Sequence, residues 1–323
     1  MEDRCDYNVV SISGGKDSTA LLLLAIEREA ENLRPVFADT GHEHPAVYEY
    51  LGYLEQRLGV TIERLVPDFS ARIAKKRETV KSKWRADGVS EAVVQQALEV
   101  LQPTGVPFLD LCLWKGRFPS SQSRFCTEHL KRDPINAWLD PLLADPDTGE
   151  VYSWQGVRAE ESAARAKLQE LEEDEKRPGL WHYRPILAWT VGQVFAYHRR
   201  HGVKWNPLYE QGMGRVGCMP CVNANKAELQ QIAARFPEEI DRVRQWEQLV
   251  SMASKRGSAT LFTATNDPTA SLSDDITAET HGIDRMVEWS KTARGGRQFD
   301  LIASTAPSVG CASAYGLCES GGA

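Results

Sequence analysis

The chain has 323 residues, 42% hydrophobic and 26% charged, with a formal net charge of −7. That balance suits a globular protein with a full core, as one large domain or two smaller ones, and argues against general coating of nucleic acid. The longest apolar run, Ala20–Ile26, is far too short to span a bilayer, and the acidic start is no secretory signal, so seven cysteines point to metal or redox chemistry in a cytoplasmic protein rather than to a disulfide framework.

Tyr7–Ile12 predicts a strand and Thr19–Glu31 a helix, joined by Ser13-Gly14-Gly15-Lys16-Asp17-Ser18. The glycines permit a tight turn and close approach of backbone to a ligand. The helix aims its free N–H groups and positive dipole end at that turn. Lys16 and the hydroxyls of Ser13 and Ser18 add donors, and Asp17 adds a carboxylate able to hold Mg²⁺ against a phosphate oxygen. The loop reads as an anion cradle without the glycine spacing of a Walker A loop.

Pro35–Asp39 reads as a second strand, Val47–Leu58 as a helix opened by Pro45 and closed by Gly59, and Thr61–Val66 as a third strand. This order predicts a parallel sheet whose ligands lie at the carboxyl ends of the strands. Asp39 and Thr40 fall at such an end, where they either position a nucleotide or serve as polar loop residues. Residues 72–85 are basic, with Arg72, Lys75, Lys76, Arg77, Lys81, Lys83 and Arg85 against Glu78 alone. They suit the phosphates of a nucleic acid or a 3′-phosphorylated nucleotide, or else a solvated helix face. Ser90 is a plausible N-cap for a helix to Leu101, and the apolar run Leu109–Trp114 makes Cys112 a core residue.

Cys126 stands among Arg124, Lys131 and Arg132, cations that favour a thiolate; His129 beside it reads as a helix residue. Val151–Val157 predicts a strand, followed by Arg158 and Arg165; an arginine at a strand end opposite a cradle suits bidentate phosphate contact. The acidic segment 168–177 reads as an exposed loop or helix end. Thr190 and Gln193 form a capping box for a helix Val191–His201. Cys218-Met219-Pro220-Cys221 puts two sulfurs on one turn, open to redox, zinc or cluster chemistry. Helical periodicity covers Asn225–Lys255 with a break near Pro237, Ser258–Asp275 reads as loop, and Gly282–Ser290 as a short helix. The tail Ser304–Ala323 carries Cys311 and Cys318.

Taken together, Ser13–Ser18, Asp39–Pro45, Cys126–Pro134, Gly156–Arg165 and Arg184–Cys221 resemble, in order, the PAPS reductase (PP-loop adenine nucleotide α-hydrolase) family. The resemblance implies an α/β fold with a doubly wound parallel sheet over residues 1–225 and a mostly helical, cysteine-bearing extension over 226–323. It implies that Ser13, Gly14, Gly15, Lys16, Asp17, Ser18, Asp39, Thr40, Lys131, Gly156, Arg158 and Arg165 hold an adenine nucleotide, ATP or PAPS, with Mg²⁺. Lys16, Asp17 and Arg158 carry the catalytic expectation.

The family's cluster-bearing reductases have adjacent cysteines where this chain has Cys126-Thr127, and a C-terminal Glu-Cys-Gly-Leu-His where this chain has Tyr315-Gly316-Leu317-Cys318-Glu319. The full Ser-Gly-Gly-Lys-Asp-Ser matches instead the ATP-cleaving branch. The expected reaction is cleavage of ATP to AMP and pyrophosphate, activating a target for sulfur transfer. A sulfur-donor protein and a DNA or tRNA acceptor at residues 72–85 are the expected partners. Cys126, Cys218 and Cys221, with Cys311 or Cys318, are the expected ligands of a [4Fe–4S] cluster or of Zn²⁺. Sulfonucleotide reduction with sulfite release, and nucleotide sensing without turnover, are the alternatives.

Overall fold

The computed structural model describes residues 4–262 and 276–292. The chain runs β1 (Cys5–Ile12), α1 (Lys16–Glu27), β2 (Leu33–Ala38), α2 (Pro45–Leu58), β3 (Glu63–Leu65), α3 (Ser70–Thr79), α4 (Glu91–Val100) and α5 (Pro107–Lys115). A single turn α6 (Phe125–Thr127), then α7 (Asp133–Ala144), β4 (Thr148–Trp154), β5 (Leu171–Glu173), β6 (Leu180–Tyr183) and α8 (Val191–Arg200) follow. The extension adds α9 (Lys226–Arg235), α10 (Pro237–Met252), α11 (Ala278–His281) and α12 (Ile283–Ser290).

The sheet order is β3-β2-β1-β4-β6-β5. All neighbours are parallel except β5, which lies antiparallel on the β6 edge. Successive strand residues face opposite layers. Val10 and Ile12 enter the larger core with α1, α2, α5 and α10, while Val9, Val36 and Val151 pack under Leu139 of α7. Helices thus cover both faces, as the doubly wound reading requires. Leu21, Leu22 and Leu23 of α1 are all buried, because this helix is sandwiched between the sheet and α8. Each such leucine contributes roughly 1.5–3 kcal/mol of burial.

Local signals place most boundaries. Pro45 opens α2 and Gly59 closes it in the left-handed region, Ser90 caps α4, and Thr190 with Gln193 forms the capping box of α8. The acidic segment differs from expectation: Leu171–Glu173 is a short, exposed edge strand, held by Glu172–Arg184 and His182–Asp174 contacts. The run 109–114 lies in α5, whose apolar residues point into the core on every side. The helical extension shares that core: Val243 and Trp246 of α10 are buried in it with Phe108. Among the described residues, no helix is long and apolar enough to cross a membrane.

Candidate functional site

In the sheet the chain goes from β1 to β2 on one side and from β4 toward β6 on the other, so the adjacent carboxyl ends of β1 and β4 form its switch point. The loop Ser13–Ser18 leaves β1 there, and Gln155–Arg158 leaves β4 beside it. Gly14 adopts φ +71°, and a Cβ on it would meet Val47 Cγ1 at 2.8 Å. The turn is tied internally by Ser18 Oγ, which donates to Gly15 O at 3.0 Å and accepts from Ser13 N at 3.1 Å.

The cradle's charges form a chain. Lys16 Nζ lies 3.1 Å from Asp17 Oδ2, and Arg158 Nε donates to Asp17 Oδ1 at 2.5 Å. Arg158 is also paired with Glu160, and its backbone N–H donates to Glu161 at 3.0 Å. Lys16 and Arg158 are both buried. Gly156 passes so near that a Cβ would lie 3.2 Å from Ser18 N and from the Asp17 carbonyl carbon. Arg165 stays exposed and, among the described residues, reaches the cradle through its pair with Glu161. Both Asp17 oxygens are engaged by cations, so Mg²⁺ at this carboxylate would compete with Arg158 and Lys16.

The segment 198–209 supplies cradle residues that the motif reading passed over. Tyr209 Oη accepts from Lys16 N at 3.0 Å, and the Lys16 ammonium lies 5.2 Å from the Tyr209 ring centroid. His198 Nε2 donates to Lys16 O at 2.8 Å, and Asn206 Nδ2 donates to Gly14 O at 3.3 Å. Burial holds the His198 imidazole below its ordinary pKa, the state that leaves one ring N–H for the carbonyl. The sequence signal for this segment is local: in Asn206-Pro207-Leu208-Tyr209, Asn206 caps a single turn and Pro207 starts it.

A second group lies at the end of β2. Asp39 accepts from Gly41 N at 2.9 Å and from Tyr48 Oη at 2.8 Å, so it organises this loop. Thr40 is buried and donates from Oγ1 to Glu43 at 2.8 Å. Cys218 Sγ lies 3.5 Å from Thr40 Oγ1 and 3.9 Å from Glu43 Oε1, across an isolated antiparallel bridge between Glu43 and Cys218. Burial pushes the Cys218 thiol up to about 12 and raises the Cys126 thiol and the Glu43 carboxyl. Lys131 opposes these shifts, and its own pKa is raised by Cys218 first, despite desolvation, with Glu43, Cys221 and Cys126 adding to it. Lys131 therefore belongs to the thiol group. Arg215 stands beside Cys221, and Arg242 Nη2 donates to Met219 O at 3.0 Å and to His42 Nδ1 at 3.2 Å.

Cys126, Cys218 and Cys221 are thus brought into electrostatic contact, with donor chemistry that suits an iron–sulfur cluster or Zn²⁺. They do not stand as a finished ligand set: among the described residues, no group of three or more His, Cys, Asp or Glu side chains is placed to hold a metal ion. Cys218 is turned toward Thr40 and Glu43. Cys311 and Cys318 lie outside the described residues.

The model of the phosphoadenosine phosphosulfate reductase domain matches residues 7–224. A 37.8 kDa protein in the gpa 5′ region of Escherichia phage 186 is 50% identical over 337 aligned positions, covering 99% of this chain and 100% of that one. Adenosine 5′-phosphosulfate reductase of Allochromatium vinosum is 29% identical over 219 positions, 68% of this chain and 69% of that enzyme. Among solved structures, a phosphate complex of PAPS reductase from Candida auris overlaps 66% of this chain and 80% of its own at 18% identity and a TM-score of 0.40, too distant to add to the assignment. With the family model spanning cradle, arginine turn and Cys-x-x-Cys alike, the chain belongs to the phosphoadenosine phosphosulfate reductase family.

Proposed function

We propose that this protein cleaves ATP between its α and β phosphates and uses the adenylated target for sulfur transfer. The observation that carries the reading is the Lys16–Asp17–Arg158 chain of charges, set on the N-terminus of α1 at the sheet's switch point. Lys16, Arg158 and the α1 amides are arranged to take up negative charge as it develops on a leaving pyrophosphate. An oxygen of the target attacks the α-phosphorus, the bond to the bridging oxygen breaks, and pyrophosphate leaves with that electron pair. A sulfur nucleophile then displaces AMP from the target. Asp17 is the residue that would hold Mg²⁺, once nucleotide phosphates compete for Arg158 and Lys16.

Cys126, Cys218 and Cys221 are the residues that would hold a [4Fe–4S] cluster, with Cys311 or Cys318 as the fourth ligand, or a Zn²⁺ ion in its place. A bound cluster would supply an iron on which sulfur can be carried. Around it Lys131 offsets thiolate charge, and Thr40 and Glu43 fix Cys218. A sulfur-donor protein completes the reaction.

The likeness to adenosine 5′-phosphosulfate reductase favours one rival, reduction of a sulfonucleotide with release of sulfite. The test is anaerobic purification, iron and zinc analysis, and two assays on the same sample. ATP-dependent pyrophosphate release, lost in Lys16→Ala, supports the ATP-cleaving reading. Sulfite release from a sulfonucleotide with a thiol reductant, without pyrophosphate from ATP, overturns it in favour of the reductase. Nucleotide binding with neither product leaves the sensor.

A further inference from the structure

Residues 72–85 do not form one basic surface. Lys81 pairs with Glu78 and Arg85 with Glu91, Arg77 donates to the carbonyls of Leu98 and Leu101, and Trp84 is buried. The structure gathers two of the stretch's cations, Arg72 and Lys76 of α3, with Lys115 of α5 and Arg117 of the turn after α5. Arg72 lies over the Trp114 ring at 4.5 Å and Lys115 over the same ring at 4.0 Å. Arg117 lies over Phe125 at 5.4 Å, and Lys76 over Trp84 at 5.1 Å.

Among the described residues, none of these four has a carboxylate within ion-pair distance, although the chain as a whole is acidic. Like charges crowd here: after burial, Arg72 and Arg117 lower the Lys115 pKa, with Glu128 opposing them less strongly. Aromatic faces hold the cations in place without neutralising them. Arg72 and Arg117 are exposed. Arg72 also borders a cleft of about 470 Å³ between the end of β3 and the start of α7, with Val66, Pro67 and Phe69 in its wall. Val66 is 61% exposed there. Phe125, beneath Lys115 and Arg117, directly precedes Cys126 of the thiol group.

We propose that Arg72, Lys115 and Arg117 bind the phosphodiester backbone of a single-stranded nucleic acid, one of whose bases enters the Val66–Phe69 cleft. The cation cluster supplies phosphate contacts at short spacing, and the cleft beside it, whose wall mixes Val66, Pro67 and Phe69 with Asp68, His129 and Asp133, accepts a base only if that base is unstacked. A strand so placed passes beside Cys126. Its role as acceptor of transferred sulfur rests on the function proposed above; its binding does not.

The test is fluorescence anisotropy of the full chain with a labelled single-stranded DNA, the same RNA sequence, and a duplex, over a salt series. Arg72→Ala/Lys115→Ala/Arg117→Ala should weaken single-strand binding at least tenfold and flatten the log–log salt slope by about 2, from three phosphate contacts at roughly 0.7 each. Val66→Asp should also weaken it, while Lys81→Ala/Arg85→Ala should leave it within twofold. DNA and RNA arms identify the strand. Circular dichroism of each variant separates lost binding from lost fold. Unchanged affinity in the folded triple variant, tighter binding of duplex than of single strand, or equal competition by polyglutamate would overturn the proposal. If the unaltered protein releases pyrophosphate but binds no single strand, that counts against this surface only; if it binds the strand but releases no pyrophosphate, that counts against the reaction only.

Discussion

Arg158 Nε donates to Asp17 Oδ1 across the gap between the loops that leave β4 and β1. The side chains are only 5% and 16% exposed, so the pair is a buried one, and removal of one member strands the charge of the other. Arg158→Ala should cost about 3 kcal/mol in urea unfolding, somewhat offset by Lys16 remaining beside Asp17. Arg158→Lys should recover part of the stability and less of the ATP affinity, because a point charge cannot make two parallel phosphate contacts. Isothermal titration with ATP checks the second half. Equal affinity in the Ala and Lys variants would remove Arg158 from the cradle.

Gly156 offers a test that leaves every charge in place. A methyl group there would sit 3.2 Å from Ser18 N and 3.3 Å from Asp17 O, both backbone atoms of the cradle. Neither can yield without moving the turn, so Gly156→Ala should destabilise the fold by roughly 1–3 kcal/mol and weaken phosphate binding. Gly192→Ala, on an open helix face with only Thr190 Oγ1 nearby at 3.8 Å, is the matched control and should do neither. Phosphate binding followed by calorimetry distinguishes them.

What was legible in the sequence was what local chemistry dictates. Strand–cradle–helix, the proline start and glycine end of α2, and the capping box of α8 each need only residues near one another in the chain. The two halves of the cradle were also legible, since Lys16, Asp17 and Arg158 all sit at carboxyl ends of parallel strands. Tertiary relations were not. That Tyr209 covers the Lys16 amide, or that Arg242 reaches back to His42, depends on packing between segments about 200 residues apart, and no periodicity carries that information. Within the basic stretch the pairs are local, Lys81 with Glu78 and Arg85 with Glu91, whereas the meeting of Arg72 and Lys115 over one Trp114 ring depends on how α3 packs on α5.

His42 makes acid stability readable. It is fully buried, stacked on Phe108 at 4.3 Å, and donates from Nε2 to Pro220 O at 2.9 Å while Nδ1 accepts from Arg242. Burial first, and the Arg242 charge second, lower its pKa to about 3. The unfolded chain therefore binds a proton that the folded one refuses between about pH 3 and pH 6.5. The stability contributed by neutral His42 is present above pH 6.5 and is lost as pH falls through that window. Between pH 7 and pH 5 the loss should be about 2 kcal/mol. His42→Gln should lose about 2 kcal/mol less stability to urea between pH 7 and pH 5, and an unchanged loss would mean that His42 does not stay neutral in the folded state.

The contact of Arg242 with Met219 O ties the helical extension to the Cys-x-x-Cys turn, and thiol reactivity should report it. Alkylation needs the thiolate, and burial pushes Cys218 up to about 12, so in the intact protein it should react far more slowly than exposed Cys5. Arg242→Gln removes the guanidinium from Met219 O and from His42 Nδ1 together. The turn then loosens, the half-buried Cys218 becomes more exposed, and its alkylation should accelerate on the order of tenfold. Mass-spectrometric labelling rates at pH 8 give both numbers in one experiment, with Cys5 as internal reference and buried Cys112 as a check that the core stays closed. If Cys218 keeps its slow rate while Cys112 remains protected, the bonds from Met219 N to His42 O at 2.9 Å and from His42 Nε2 to Pro220 O hold the turn without Arg242, and the extension has no part in positioning the thiols.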